Sequence, residues 1–400
     1  MRIGLDARSL FMTRPRGTGR NLRDAYQVLP RLAPQWDFFL YHQRQAAREQ
    51  KHVAELAENP NVSLRRIDMP GDRFDLWFQV RLPLAAWRDR LDLLHAPANA
   101  APLLCPVPLV VTVHDLIPLT VDGEATSTQR RRFEAGIRRA VGRAEHIITP
   151  SAATRAALCE RFAAPLERVT VIPWAADAGV RRVLDESEAA QRESQVDLLR
   201  RRYGLRAGWL LNFSGASLRK NAERLLSAFA RIPSEQRRRA PLVLVGCEPA
   251  EFRNQLTTLA EQLGIGADCH ALGFVPHAEL PWFLEGARAV LLPSLREGFG
   301  LPLLDAFAAD RPVLSSRDDA LAEVAGPAAE YCDATDVESI AAAITGVLDE
   351  RRATELVRLG RVRRESYSWR ATASALRQVY ARCAAREART RRRARALEAT

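Results

Sequence analysis

The stretch from Ala289 to Ala308 constrains the fold more than any other part of the chain. Ala289 to Leu292 is an apolar run that reads as a buried strand. It breaks into a turn spaced by Gly298 and Gly300, and Pro302 then stands where a helix would begin. Proline suits a first helical position because its missing N–H would have had no intrahelical partner there. Glycines let the backbone approach a ligand closely, and the start of a helix offers free N–H groups and the positive end of a dipole, a combination that binds anions. A carboxylate on the rim of such a turn, Glu297, would hold a group that donates hydrogen bonds, such as a sugar hydroxyl. An anion and a sugar in one place point to a nucleotide sugar.

Strands and helices alternate from one end to the other, the pattern of α/β domains with parallel sheets covered on both faces. Strands are predicted near 3–6, 37–41, 62–67, 91–95, 109–113, 146–149 and 169–172, and again near 209–213, 242–245, 269–272, 289–292 and 312–314. Two doubly wound, Rossmann-like domains follow, 1–180 and 181–365, facing a cleft at the carboxyl ends of their strands. Pro173 to Val180 reads as the hinge, and residues 366–400 as a returning helix with an arginine-rich tail.

The longest apolar run, Ala100 to Val113, is broken by Pro102, Pro106 and Pro108, so it cannot be a spanning helix. With a strand-like Ile3-Gly4-Leu5-Asp6 at the N-terminus, no signal peptide is expected. Six cysteines at 105, 159, 247, 269, 332 and 383 form no C-x-x-C pair, which fits reduced thiols and a cytoplasmic location. The net charge of +11 comes from arginine, Lys51 and Lys220 being the only lysines. Two basic clusters, Thr128 to Arg143 and Arg382 to Arg395, are candidates for anionic inner-leaflet lipid or plain solvated faces. Basic and aromatic residues do not interleave as on a nucleic-acid surface, and nucleic acid is not an expected partner.

A second anion site is expected at Ser214-Gly215-Ala216-Ser217-Leu218-Arg219-Lys220-Asn221, after the strand at 209–213 and before a helix carrying Leu225, Leu226 and Phe229. Cations at a helix start oppose its dipole. A diphosphate between Arg219 and Lys220 would resolve the conflict.

These motifs resemble those of the retaining glycosyltransferases of family 4, which have the GT-B fold. The family signature is a pair of acidic residues separated by seven others, here Glu297 and Asp305, with Asp in place of the usual second Glu. The resemblance implies that Glu297 contacts the donor sugar, with Gly298, Phe299, Gly300 and Leu301 lining the donor site, and that Asp305 holds the ribose. It also implies that Arg219 and Lys220, beside Ser214 and Gly215, clamp the diphosphate. Gly17-Thr18-Gly19-Arg20-Asn21 is similar to the family's turn near the leaving diphosphate. His114, in Val113-His114-Asp115-Leu116, resembles the histidine that family mannosyltransferases place at the donor sugar. Phe274 and Val275, after Gly273, correspond to the stretch whose backbone reads the base. The last helix is expected to return to the first domain.

The implied activity is metal-independent transfer of a hexose, with retention, to a saccharide or lipid-linked saccharide acceptor. The preferred donor is GDP-mannose, and the donor is a substrate, so no cofactor is expected. Rhamnosyl or glucosyl transfer, a GT-B nucleotide-sugar epimerase and a donor-binding subunit without activity stay open as alternatives.

Overall fold

The computed structural model describes residues 1–12, 17–43, 55–69 and 75–398, with side chains up to Arg386. The chain divides into two compact units. One comprises residues 1–119, 125–174 and 368–400, the other 120–124 and 175–367. The change of unit at Trp174/Ala175 precedes the expected boundary at 180/181. Asp177 explains it: it caps the helix Ala178–Glu186 with its side chain and donates its backbone N–H to buried Asp305 at 2.8 Å, binding these residues to the second unit.

The first unit is built on seven strands: β1 Arg2–Asp6, β2 Asp37–His42, β3 Val62–Arg66, β4 Leu93–Ala96, β5 Leu109–Thr112, β6 His146–Thr149 and β7 Val169–Val171. All pair in parallel, in the order β3-β2-β1-β4-β5-β6-β7, with Ile3 opposite Phe38 and Leu93. Strands buried on both faces read as continuous apolar runs, which is why Leu109-Val110-Val111 is entirely buried. The helix Trp369–Glu398 packs in this same unit against the helix Gly17–Leu32, as expected. Ala373, Leu376, Val379 and Tyr380 supply its apolar stripe. Tyr380 Oη lies 3.1 Å from Tyr26 Oη and 2.7 Å from His95 Nδ1, and His95 Nε2 lies 2.8 Å from Thr112 Oγ1. This buried polar chain ties the helix to the sheet.

The second unit carries β8 Trp209–Phe213, β9 Leu242–Val245, β10 Cys269–Ala271, β11 Ala287–Leu292, β12 Val313–Ser316 and β13 Glu330–Cys332, parallel in the order β10-β9-β8-β11-β12-β13. The twelve predicted strands are all present. The edge strand β13 was not predicted; its three residues hold only Tyr331 and Cys332 as an apolar signal.

The basic cluster of 128–143 forms a capped surface helix, Ser127–Arg143. Ile137 and Val141 face the core, Arg138 pairs with Glu134, and Arg130 donates to the Leu119 carbonyl. Its apolar side is already covered, as in an ordinary solvated helix. In the other cluster, the side chains beyond Arg386 lie outside the described residues. Among the described residues no helix is long and apolar enough to cross a membrane.

Candidate active site

In the second sheet the strand order reverses between β8 and β11. The chain leaves β8 toward β9 and β10, and leaves β11 toward β12 and β13. Loops diverging from two adjacent strands open a crevice at their carboxyl ends, where ligands bind in doubly wound sheets. The residues after β8 are Ser214 and Gly215; those after β11 run from Pro293 to Gly300. The strand–turn–helix read from the sequence is present: Gly300 caps the helix Leu301–Ala308 at φ +96°, and Pro302 lies in its first turn. A Cβ on Gly300 would come within 2.4 Å of Leu321 Cδ2, so conformation and space both call for glycine.

Arg219 and Lys220 stand just before the helix Ala222–Arg231, as predicted, in a 3₁₀ turn, Leu218–Lys220. Asn221 follows at φ +61°, a conformation asparagine tolerates well. Its side-chain amide donates to the Pro293 carbonyl at 2.9 Å and the Ala334 carbonyl at 2.7 Å, and Leu295 N–H donates to the Arg219 carbonyl at 2.7 Å. The turn after β8 is thus fixed to the loop after β11. That arrangement brings both cations onto one carboxylate. Lys220 Nζ stands 2.7 Å from Glu297 Oε1, and Arg219 Nη1 stands 2.5 Å from Glu297 Oε2. Ser294 Oγ adds a hydrogen bond to Glu297 Oε1 at 3.0 Å.

Glu297 is therefore no free rim carboxylate; its side chain is 9% exposed and held between two cations. Burial opposes its ionisation, but the charges of Lys220 and Arg219, with hydrogen bonds from Lys220 and Ser294, outweigh that and hold its pKa below the ordinary glutamate value. Glu124 completes the cluster. It accepts the Ser217 hydroxyl and, at 3.4 Å, the Arg219 N–H, and its Oε1 lies 3.9 Å from Arg219 Nε. Two cations face two carboxylates. Glu124 was missed from sequence because it lies in no patterned run, and Ser294, inside the motif of 289–308, because its hydroxyl's aim at Glu297 is not visible from spacing.

Asp305 is buried, and its Oδ1 accepts the Asp177 N–H. Asp177 in turn meets His277 Nε2 at 2.7 Å. The shorter arm of Asp305 thus lies in an inward network joining the helices that start at Ala178 and Leu301. Phe299 is also buried, against Tyr367. Phe274, by contrast, is exposed, and its N–H donates to Glu248 Oε1 at 3.2 Å, with Val275 beside it half-buried. A Cβ on Gly273 would sit 2.6 Å from Arg253 Nη1 and 3.1 Å from Glu248 Oε1, so the absence of a side chain makes room for both groups.

In the first unit His114 follows β5. Its Nε2 lies 2.6 Å from the Pro97 carbonyl, which can only accept, so Nε2 carries the proton and Nδ1 keeps its lone pair. Burial lowers its pKa, keeping the ring neutral. Gly17 and Gly19 do not form a separate turn before a helix; they are part of the first turn of Gly17–Leu32, with Gly19 buried. Among the described residues no three His, Cys, Asp or Glu side chains converge as a metal site requires.

Two family models divide the chain between them: Glycosyltransferase Family 4 over residues 16–179 and Glycosyl transferases group 1 over 209–363. The MMP alpha-(1->4)-mannosyltransferase of Mycolicibacterium hassiacum is 30% identical over 300 residues, 70% of this chain and 67% of that protein. The chain belongs to the family 4 glycosyltransferases. Another relative in this glycosyltransferase family, the O-antigen chain mannosyltransferase B of Escherichia coli, is 29% identical over 261 residues, 65% of this chain and 66% of its own length. Both alignments leave about a third of each relative unmatched. Among solved structures, HepE of Anabaena in complex with UDP and glucose superposes with a TM-score of 0.72 at 17% identity, covering 95% of this chain and 99% of that one. The two parallel sheets and this likeness make the fold GT-B, in keeping with a family 4 glycosyltransferase.

Proposed function

We propose that the protein transfers mannose, with retention, from GDP-mannose to a hydroxyl of a saccharide acceptor, and that it needs no metal ion. The observation that carries this reading is the convergence of Arg219 and Lys220 on Glu297, in front of the helix Leu301–Ala308, at the switch point of the second sheet. A donor diphosphate competes with Glu297 for the two cations. Their charge-assisted hydrogen bonds, each worth about 1.5–3 kcal/mol, pass to the phosphate oxygens as the glycosidic C–O bond breaks. Glu297, released from its partners, accepts hydrogen bonds from the sugar hydroxyls. Two fixed cations and the helix start absorb the leaving-group charge, the task a metal ion performs elsewhere. A departing phosphate oxygen takes the acceptor's proton on the face it leaves, which preserves the anomeric configuration without a covalent enzyme intermediate.

His114 supplies a neutral ring whose Nδ1 can accept a hydrogen bond from a donor-sugar hydroxyl. The mannosyltransferase relatives support mannose as the sugar. They also support a growing saccharide as the acceptor, lipid-linked where it is built on a membrane. The test is a thermal-shift panel of GDP-, UDP-, dTDP- and ADP-sugars, followed by NMR assignment of the anomeric product. The largest stabilisation by GDP-mannose, with an α-linked product, is expected. Stabilisation by UDP- or ADP-glucose alone replaces mannose by glucose. Nucleotide release that never transfers sugar to any acceptor favours an epimerase.

A further inference from the structure

The first unit carries an apolar surface that neither its core nor the donor site explains. A π-helical turn, Trp77–Arg81, runs into the helix Leu82–Arg88. One side of this segment is interior, where Trp77, Phe78, Leu82 and Ala86 enter the core. A surface helix should then turn polar residues outward. This one exposes Leu76, Val80, Leu84 and Trp87, with Trp87 64% exposed. The neighbouring loop lengthens the strip: Leu103 N–H donates to Gln79 Oε1 at 2.8 Å, which places exposed Leu103 and Leu104 beside the helix. Six of the twelve large hydrophobic residues exposed among the described residues lie on this one face. Scattered surface hydrophobics need no explanation, whereas a contiguous strip marks an interaction site.

The charges around the strip are sorted. Among the described residues the nearby acids turn toward their own unit: Asp75 pairs with Arg8, Asp89 accepts the Tyr41 hydroxyl, and Asp92 accepts the Arg2 N–H. Arg81, Arg88 and Arg90 are exposed, and their guanidinium groups take no hydrogen bond or ion pair among the described residues. The strip offers little for directional recognition, since Gln79 already accepts from Leu103. A leucine- and tryptophan-rich face rimmed by free arginines, without directional polar groups, fits a fluid anionic interface better than a shaped protein partner.

We propose that the face formed by Leu76, Val80, Leu84, Trp87, Leu103 and Leu104 docks on an anionic lipid bilayer, with Arg81, Arg88 and Arg90 at the level of the headgroups. The inference stands apart from the reading of the donor site and from the arginine cluster of 128–143. Its occupant is the bilayer surface, not a single lipid headgroup held in a pocket.

The full-length protein is sedimented with vesicles of phosphatidylcholine alone or with one third phosphatidylglycerol, and Trp87 emission is followed with lipids brominated on their acyl chains. The wild type is expected to pellet with the anionic vesicles only. The V80S/L84S/W87S variant should lose at least about tenfold in partitioning, from the apolar area withdrawn from the lipid. R81Q/R88Q/R90Q should lose roughly a hundredfold, at about a factor of five per arginine. Bromolipid should quench the wild type more than W87F. Circular dichroism and thermal unfolding report whether each variant is folded. Partitioning of the serine variant equal to wild type would overturn the proposal, as would wild type that ignores anionic vesicles. So would a self-association that the serine variant abolishes in the absence of any vesicle binding, which would make the face a contact between copies of this chain.

Discussion

Glu297 receives Lys220 on one carboxylate oxygen and Arg219 on the other, so three charged groups from two loops form one cluster. The turn, the glycines and the proline identify an anion site, and Arg219-Lys220 is a basic pair on a separate loop. What no spacing along the chain could show is that the two loops close on each other, because that contact depends on Asn221 binding the Pro293 carbonyl across the switch point. Replacing Lys220 with alanine removes a donor to Glu297 and, on the proposed mechanism, to the diphosphate. The expected loss in affinity for free GDP is about 1.5–3 kcal/mol, measured by calorimetry. Glu297→Gln keeps the shape but weakens the hydrogen bonds to the sugar. Turnover is expected to fall by a hundredfold or more, by analogy with removal of a transition-state partner, while GDP binds at least as tightly as to wild type because the anion meets less competition for its cations. Parallel loss of turnover and of GDP affinity in that variant would show that Glu297 is only a structural member of the ion cluster.

Two helices carry the element-scale argument. Gly300→Ala places a Cβ 2.4 Å from Leu321 Cδ2 in a left-handed conformation, at the cap of the helix Leu301–Ala308. A cost of about 1–3 kcal/mol in unfolding free energy is expected, together with weaker GDP binding, since the helix start is displaced. The helix Trp369–Glu398 is held by Tyr380, and Tyr380→Phe withdraws the hydroxyl shared by Tyr26 and His95. Urea titration is expected to show about 1–3 kcal/mol less stability, the cost of leaving buried polar groups unpaired. The histidine gives the same helix a pH dependence. Burial, with a smaller contribution from His114, lowers the His95 pKa to about 3. The folded chain thus keeps His95 neutral where the unfolded chain, titrating near 6.5, takes up a proton. Stability from this group is complete above about pH 6.5 and declines on acidification toward pH 3, by on the order of 1.4 kcal/mol per unit at most. Stability measured at pH 7, 6 and 5 should fall less steeply in His95→Gln than in wild type; identical slopes would remove His95 as a source.

At the scale of the molecule, the sequence was most legible where patterns are local. Continuous apolar strands between glycine and proline breaks gave twelve of the thirteen strands among the described residues, and the stripe of Leu376, Val379 and Tyr380 gave the returning helix. The edge strand β13 was lost because three half-apolar residues carry no period. The direction of side chains was less legible. The spacing of Asp305 from Glu297 did not show that its Oδ1 accepts the Asp177 N–H, and the glycines at 17 and 19 start a helix where a turn was expected. Pattern fixes which residues share an element, whereas the aim of a side chain is set by neighbours far along the chain.

The most direct test is calorimetric titration of GDP into wild type and into Arg219→Ala/Lys220→Ala, with both proteins shown to be folded. Measurable binding to the wild type and none to the double variant over the same concentration range is expected. Equal affinity for the two proteins would place the diphosphate elsewhere and contradict the donor site described here.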